Sequence, residues 1–279
     1  MFRRLVNLVF GWKEFRIKKD ELVLDIGSGD NPCFRADVIC DKYFFDNSQR
    51  SGKMKIQIYP HQKFVIGDIQ FLPFKDKSFD FVICKHLLEH LDNPGKGIEE
   101  LMRVAKRGYI ETPSSLMEIL YGWQFHKWLV HIEGNKLVFN RKDKNVVYGI
   151  LPQSVKKTSL FDKLVNKNQD VFLIRYFWER KIEYQVNENG NKKEISYLES
   201  DLNNINNVIK NEPILKKLLK NFIFKTIRLL WKKHNINLID ILCCPLCKGN
   251  IIKEKNIIKC INCKKTYKVL DNFPVLLPQ

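Results

Sequence analysis

Short runs of β-branched and aromatic residues, separated by turns and helix-like segments, are the feature that most constrains the fold. Five of them precede residue 113: LVLDIG (22–27), ADVICD (36–41), KFVIGD (63–68), FDFVICK (79–85) and RGYIET (107–112). Segments such as HLLEHL (86–91) and GIEELMRVAK (97–106) lie between them. This alternation predicts an α/β fold with a doubly wound, mainly parallel sheet. Ligands of such sheets bind beyond the carboxyl ends of the strands, so we expect function in the loops after Ile26, Cys40, Gly67 and Cys84.

The next part of the chain gives a weaker pattern. NKLVFNRK (135–142) is expected to be a strand, and VFLIRYFWERKIEYQV (171–186) is expected to be an antiparallel pair that closes the sheet. Residues 188–212 are polar and rich in Asn, which is typical of a loop or linker. We therefore divide the chain into a domain of residues 1–212, a basic segment of residues 213–237 and a small domain of residues 238–279.

The glycine turn after the first strand has an acidic residue in front of it. Gly27 and Gly29 allow a tight turn and a close approach of the backbone to a ligand. A dinucleotide-binding loop needs a third glycine and an uncharged residue before the turn, because a pyrophosphate binds there. This chain has Pro32 and Asp25 instead. A carboxylate repels phosphate and favours a cation such as S-adenosylmethionine, which has a sulfonium and an ammonium group.

Two more acids follow predicted strands. Asp41 is placed to accept hydrogen bonds from ribose hydroxyls. Asp68 can accept from an adenine amino group, and Ile69 can pack on the adenine ring. The alternative is that these acids only cap helices and turns.

These segments resemble the class I S-adenosylmethionine-dependent methyltransferases, in particular the ubiquinone-biosynthesis-type branch. The resemblance rests on VLDIGSGDNP, VIGDIQFLPFKDKSFDFVICKHLLEHL and MRVAKRGYIETPS, over roughly residues 20–115. It implies a seven-stranded sheet whose last strand is antiparallel. Asn31 departs from it, because many members have another glycine there. The cofactor-binding residues that the resemblance implies are Asp25, Gly27, Ser28, Gly29, Asp41, Asp68, Ile69 and Lys85.

Histidines near the end of the fourth strand have two interpretations. HLLEH (86–90) fits the inverted zinc-protease pattern, but it directly follows a strand, and the methyltransferase resemblance explains it without a metal. His86 is the candidate general base, although it could simply line the pocket, and methyl transfer can proceed by alignment alone. Downstream, Tyr121, Trp123, His126 and Trp128 could line an acceptor pocket or form an aromatic cluster under a lid.

Cysteines are concentrated at the end of the chain. Cys244 and Cys247 form one C-x-x-C pair, and Cys260 and Cys263 form a second. Four thiolates on two turns joined by a short hairpin favour a structural Zn²⁺ site with no open position. Cys243 is the spare cysteine, although it could exchange roles with Cys244. An iron–sulfur site, a redox role and a fold without metal are weaker alternatives.

This tail resembles the small zinc-ribbon activator subunit of RNA and release-factor methyltransferases. LIDILCCPLCKG and the ending DNFPVLLP carry the resemblance. It implies a ribbon that covers apolar surface of a methyltransferase, here fused into one chain. CKHL after the fourth strand differs from the N-P-P-Y-type motif of those partner enzymes that modify amide or base nitrogens, so nitrogen chemistry of that kind is not expected.

The formal charge of +17 comes from 48 Lys and Arg against 31 Asp and Glu. Residues 213–233 predict a basic amphipathic helix, which could contact RNA or an anionic membrane or pack on the domain with a solvated face. A biased genome composition would also explain the charge. We expect a cytoplasmic methyltransferase acting on an unidentified small molecule, lipid, glycan, RNA or protein. The alternative is a non-catalytic, cofactor-binding adaptor for RNA or a protein partner. The sequence does not indicate the oligomeric state.

Overall fold

A parallel five-stranded core forms the centre of the molecule. The computed structural model describes residues 15–44, 55–156, 158–188 and 236–278. The core strands are β1 (Val23–Ile26), β2 (Val38–Asp41), β3 (Lys63–Gly67), β4 (Phe79–Lys85) and β5 (Ala105–Pro113). They pair in parallel in the order β3-β2-β1-β4-β5. The predicted α/β fold with a mainly parallel sheet is therefore confirmed.

Both faces of this sheet are covered, which explains why its strands read as nearly continuous apolar runs. On β1, Val23 packs into one buried cluster and Leu24 into another on the opposite face. The cluster around Leu24 also contains Ile98 and Leu101 from a helix that covers that face. The cluster around Val23 includes Phe15.

Helices and turns connect these strands. The α-helices within the described residues are α1 (Pro94–Val104), α2 (Ser115–Tyr121), α3 (Gln153–Lys156), α4 (Ser159–Lys167), α5 (Gln169–Phe172) and α6 (Leu238–Ile241). Helix α1 begins where the Asn93 side chain accepts a hydrogen bond from the Lys96 amide, with Pro94 at its first position. The helix-like segment after β4 forms only a 3-10 turn, Leu88–His90. A second 3-10 turn, Ile69–Phe71, follows β3.

The strands after β5 divide between two sheets. β8 (Leu173–Glu179) pairs antiparallel with β5. β6 (Trp128–Glu133) and β7 (Lys136–Arg141) pair antiparallel, and β9 (Glu183–Asn187) pairs parallel with β7 in a separate three-stranded sheet. The expectation that residues 171–186 form an antiparallel pair closing the main sheet is therefore wrong for β9. Arg180, which has a φ of 67°, turns the chain between β8 and β9.

The C-terminal residues extend the main sheet. Strands β10 (Ile251–Glu254), β11 (Ile257–Cys260), β12 (Thr266–Leu270) and β13 (Phe273–Leu276) form an antiparallel meander. β13 then pairs parallel with β3, so the sheet has ten strands among the described residues. Six of these strands precede residue 188, rather than the seven that the resemblance implied, and β13 occupies the position beside β3.

The C-terminal residues also share the core of the preceding part. Leu242, Ile258 and Leu276 are buried in the same cluster as Leu24. At the surface, the Lys248 Nζ lies 2.7 Å from a carboxylate oxygen of Glu100 on α1. The expected basic helix of residues 213–233 lies outside the described residues. In the described ranges, no helix has the length and apolar character needed to cross a membrane.

Candidate active site

A cavity of about 940 Å³ lies at the carboxyl ends of the parallel strands. The strand-end loops converge there because parallel strands all present their carboxyl ends at one edge of the sheet. The predicted site residues that line the cavity are Gly27, Ser28, Gly29, Asp41, Asp68, Ile69, Lys85 and His86. Asp25 is fully buried in β1, which leads into the glycine turn.

The glycine turn needs glycine at its first position for two reasons. Gly27 has a φ of 64° and Gly29 a φ of 53°, in the left-handed region that other residues rarely adopt. A Cβ on Gly27 would also lie 2.7 Å from the Leu87 Cδ2 atom. The backbone of this turn can therefore come close to a ligand in the cavity.

Asp25 supports the turn and remains incompletely paired. Its Oδ2 atom accepts a hydrogen bond of 2.7 Å from the Cys33 amide, which holds the loop 27–33 in place. Its Oδ1 atom, like the Ser28 Oγ, is buried without a hydrogen-bond partner among the described residues. Burial raises the pKa of Asp25 to about 6, against the opposing effects of Lys85 and the Cys33 amide. A cationic group bound next to this carboxylate would relieve that cost.

The acids at the ends of β2 and β3 have local partners. The Asp41 Oδ1 atom accepts from the Tyr43 amide at 2.9 Å. The Asp68 Oδ1 atom accepts from the Gln70 amide at 2.9 Å, and its Oδ2 atom lies 2.8 Å from the Lys42 Nζ. Both acids therefore cap turns, as the alternative interpretation predicted. Capping leaves carboxylate lone pairs available, so it does not exclude contacts with a ligand.

His86 lies between two glutamates. Its Nε2 atom is 3.3 Å from a Glu111 oxygen, and its Nδ1 atom is 3.7 Å from a Glu89 oxygen. Burial lowers the pKa of His86, but the two carboxylates outweigh it and raise the pKa to about 9. The two carboxylates favour the protonated imidazole, whereas a general base needs the neutral form, so the role of His86 as general base stays a prediction.

Sequence reasoning missed Glu111. Its pKa is lowered to about 2 because His86 and the Tyr109 hydroxyl outweigh the effect of burial. It lies near the end of β5, pairs with His86 and lines the cavity. The signal that could have found it is the one used for Asp41 and Asp68, an acid at a strand end.

The aromatic residues between positions 121 and 128 divide between the cavity and the core. Trp123 and His126 line the cavity, together with Phe125. Trp128 is 1% exposed in β6, and its Nε1 atom donates to the Leu91 carbonyl, so it belongs to the core. Tyr121 stacks on Trp123, with ring centroids 4.6 Å apart, and supports the cavity wall from behind.

The four predicted cysteine ligands meet at one point. The Sγ atoms of Cys244, Cys247, Cys260 and Cys263 all lie within 4.8 Å of one another. Cys244 and Cys263 are 3.7 Å apart, and Cys247 and Cys260 are 3.4 Å apart. Zinc bonds of about 2.3 Å in a tetrahedron place sulfurs roughly 3.8 Å apart, so this set fits the ion. Cys243 is outside the set, and its amide donates to the Pro73 carbonyl.

Comparison with known proteins finds a family match over part of the chain that lines this cavity. Residues 24–110 match a family model described as a methyltransferase domain. The match includes the glycine turn, the strand-end acids and the histidines after β4.

Curated relatives cover only part of this chain. An uncharacterized protein of Methanocaldococcus jannaschii is 34% identical over 97 residues, which is 34% of this chain and 40% of that protein. A demethylmenaquinone methyltransferase of Renibacterium salmoninarum is 34% identical over 88 residues, which is 31% of this chain and 37% of that enzyme. The chain therefore matches less than half of the length of these relatives.

Among solved structures, one chain of a complex that contains the Haloferax volcanii Trm112 methyltransferase activator is similar to this protein. The alignment covers 64% of the present chain and 92% of the chain in that complex. The identity is 13% and the TM-score is 0.40. The fold described here rests on the strand order and pairing of the chain itself.

Proposed function

We propose that this protein is an S-adenosylmethionine-dependent methyltransferase. The observation that carries the proposal is the domain match over residues 24–110, which covers the glycine turn and the acids that follow β2 and β3 at the cavity. The buried, incompletely paired carboxylate of Asp25 at the base of the glycine turn supports a cationic ligand rather than a phosphorylated one.

Each cavity residue has a role that follows from its position. Asp25 orders the loop 27–33 and favours the methionine ammonium group, and Gly27 and Gly29 let the backbone approach it. Asp41, at the end of β2, accepts from the ribose hydroxyls. Asp68 and Ile69 flank the adenine. Lys85, at the end of β4, lies beside the transferred methyl group. The methyl passes to a nucleophile of the acceptor while the sulfonium becomes a neutral thioether.

We also propose that the cysteine cluster binds a structural Zn²⁺. Four thiolates leave no open position for a substrate. The Tyr267 hydroxyl, 3.1 Å from the Cys244 sulfur, supports the ligand shell from outside. With the ion bound, the turn before β10 and the turn between β11 and β12 are held together.

Isothermal titration calorimetry of the full chain tests the activity proposal. S-adenosylmethionine and its demethylated product should bind in competition with one another, and NADH should not displace them. Binding of NADH in place of both sulfur nucleotides would reject the proposal. Transfer of a labelled methyl group into fractionated RNA, protein, lipid and glycan would then identify the acceptor class.

A further inference from the structure

A second group of potential metal ligands lies next to the proposed methyl-transfer site. One ligand atom each from Glu89, His90 and His126 lies within 4.8 Å of the others. Glu89 and His90 belong to the 3-10 turn after β4, and His126 lies in the segment between α2 and β6. Both histidines line the cavity. This arrangement uses only part of the HLLEH pattern, because His86 turns toward Glu111 instead.

The Glu89 carboxylate is buried and, within the described ranges, has one long ion pair and no hydrogen bond. It is 1% exposed, and neither carboxylate oxygen has a hydrogen-bond partner among the described residues. Its ion pair with the His86 Nδ1 atom spans 3.7 Å, which is too long for a hydrogen bond. A buried carboxylate without hydrogen bonds is costly, and a bound cation is one of the few partners that offset this cost.

His126 is oriented as a ligand. Its Nδ1 atom lies 2.6 Å from the Glu118 Oε2 atom, and the other oxygen of Glu118 contacts the Lys142 Nζ. A buried carboxylate behind one imidazole nitrogen is typical of metal-binding histidines, because it fixes the tautomer that leaves the other nitrogen unprotonated. The His90 ring lies 4.6 Å from the His126 ring and stacks on Phe125.

We propose that Glu89, His90 and His126 bind a divalent transition metal, with Zn²⁺ the best match to two imidazoles and one carboxylate. Tetrahedral bonds of about 2.1 Å place such ligands roughly 3.4 Å apart, so small side-chain rotations close the site around the ion. Three protein ligands leave a position open toward the cavity, which is typical of catalytic rather than structural zinc.

The metal gives the acceptor site its chemistry, and this step rests on the methyltransferase activity proposed above. An acceptor hydroxyl binds the open position, where the ion lowers its pKa, and its proton passes to solvent. The resulting oxyanion attacks the methyl carbon of the sulfonium. As the new O–C bond forms, the C–S bond breaks and its electron pair stays on sulfur, so the products are a methyl ether and a neutral thioether.

Metal counting on the full chain tests this site. The wild-type protein, prepared with zinc and dialysed against metal-free buffer, should hold one equivalent in the cysteine cluster and a second at Glu89, His90 and His126. Glu89→Gln and His90→Ala should each lose the second equivalent only. His131→Ala, which removes a histidine of β6 outside the cluster, should keep both. In the wild type, X-ray absorption should show zinc bonds of about 2.0–2.1 Å to nitrogen or oxygen in addition to bonds of about 2.3 Å to sulfur. In Glu89→Gln, only the zinc–sulfur bonds should remain.

A wild-type protein with one equivalent and a sulfur-only shell would overturn the site, as would a folded Glu89→Gln or His90→Ala that keeps the second equivalent. Urea unfolding detects a variant that fails to fold. In that case the X-ray absorption spectrum of the wild type alone decides whether the second site exists. Calorimetry with S-adenosylmethionine on the same samples separates the two proposals. If the protein holds a second zinc but does not bind the cofactor, the proposed activity is refuted and the metal site stands. If it binds the cofactor but holds no second zinc, only the metal site is refuted.

Discussion

Asp25→Asn should gain stability relative to the wild type as the pH rises, and it should bind the cofactor more weakly at neutral pH. The carboxylate is fully buried and has one oxygen without a partner, whereas an asparagine keeps an acceptor for the Cys33 amide and carries no charge. The folded state therefore tolerates the charge of Asp25 at a cost, which a cationic ligand would offset.

The size and sign of this cost follow from the pKa. The pKa of Asp25 is raised from 3.8 to about 6, mainly by burial. Because the folded-state pKa is raised, the contribution of Asp25 to stability is fully present below its ordinary pKa of 3.8. This contribution is lost as the pH rises through the folded-state pKa of about 6. The full loss corresponds to roughly 3 kcal/mol. Between about pH 5 and about pH 7.5, linkage predicts that the wild type loses roughly 1.4 kcal/mol relative to Asp25→Asn.

Urea unfolding at several pH values measures this difference, because the midpoint and slope give the free energy of unfolding. Only the change of this free-energy difference with pH is diagnostic, because the buried NH₂ group of the new asparagine adds a cost that does not depend on pH. Asp20→Asn is the matched control. It makes the same change of charge at an exposed residue before the amino end of β1, and its stability relative to the wild type should stay constant over this pH range.

Calorimetry on the same variant completes the test. Loss of the carboxylate should weaken binding of S-adenosylmethionine about tenfold or more, which is about 1.4 kcal/mol. Wild-type affinity should also fall as the pH drops below about 6, because protonation removes the charge. An Asp25→Asn protein whose relative stability is independent of pH and whose cofactor affinity is unchanged would refute this reasoning.

Three further predictions concern the turn, the shared sheet and the cysteines. Gly27→Ala should weaken cofactor binding, because a Cβ strains the turn at a φ of 64° and displaces the Leu87 side chain. Gly134→Ala, with φ of 60° and nothing within 4 Å, should cost only about 1–2 kcal/mol of stability. Leu276→Ala should cost about 2–5 kcal/mol in urea unfolding, since that side chain is fully buried; a smaller loss would argue against a shared core. Cys260→Ser should release one zinc equivalent and lower the melting temperature, and unchanged metal content would exclude Cys260 as a ligand.

Local patterns predicted most of the central sheet. The runs over residues 22–27, 63–68 and 79–85 contain β1, β3 and β4, because strands buried on both faces need continuous apolar sequence. The hairpin expected in the tail is present as β10 and β11, with Lys255 in the left-handed region at its turn. These features depend on residues close in sequence, which is why a pattern can indicate them.

Features that depend on distant contacts were not predicted. Nothing local to β13 shows that it pairs with β3, some 200 residues earlier, and nothing local to β9 shows that it leaves the main sheet for β7. His126 is separated from Glu89 by more than 30 residues, so their convergence depends on how the segment after α2 folds over the cavity. Spacing does not distinguish a lining aromatic from a buried one, so the sequence left both interpretations open for Trp128, which the structure shows to be buried.

Two buried carboxylates near the cavity, Asp25 and Glu89, share one feature. Each has at least one oxygen without a hydrogen bond among the described residues. A polar atom left in this state destabilises the fold, and such a cost is typical of sites where a ligand completes the structure. Asp25 lies under the glycine turn, where a methyl donor carrying positive charge is proposed. Glu89 lies after β4 with two histidines, where a metal ion and the acceptor are proposed. If both ligands bind as inferred, each should add to the free energy of unfolding of the chain, because each binds the folded state and supplies a partner for one of these carboxylates.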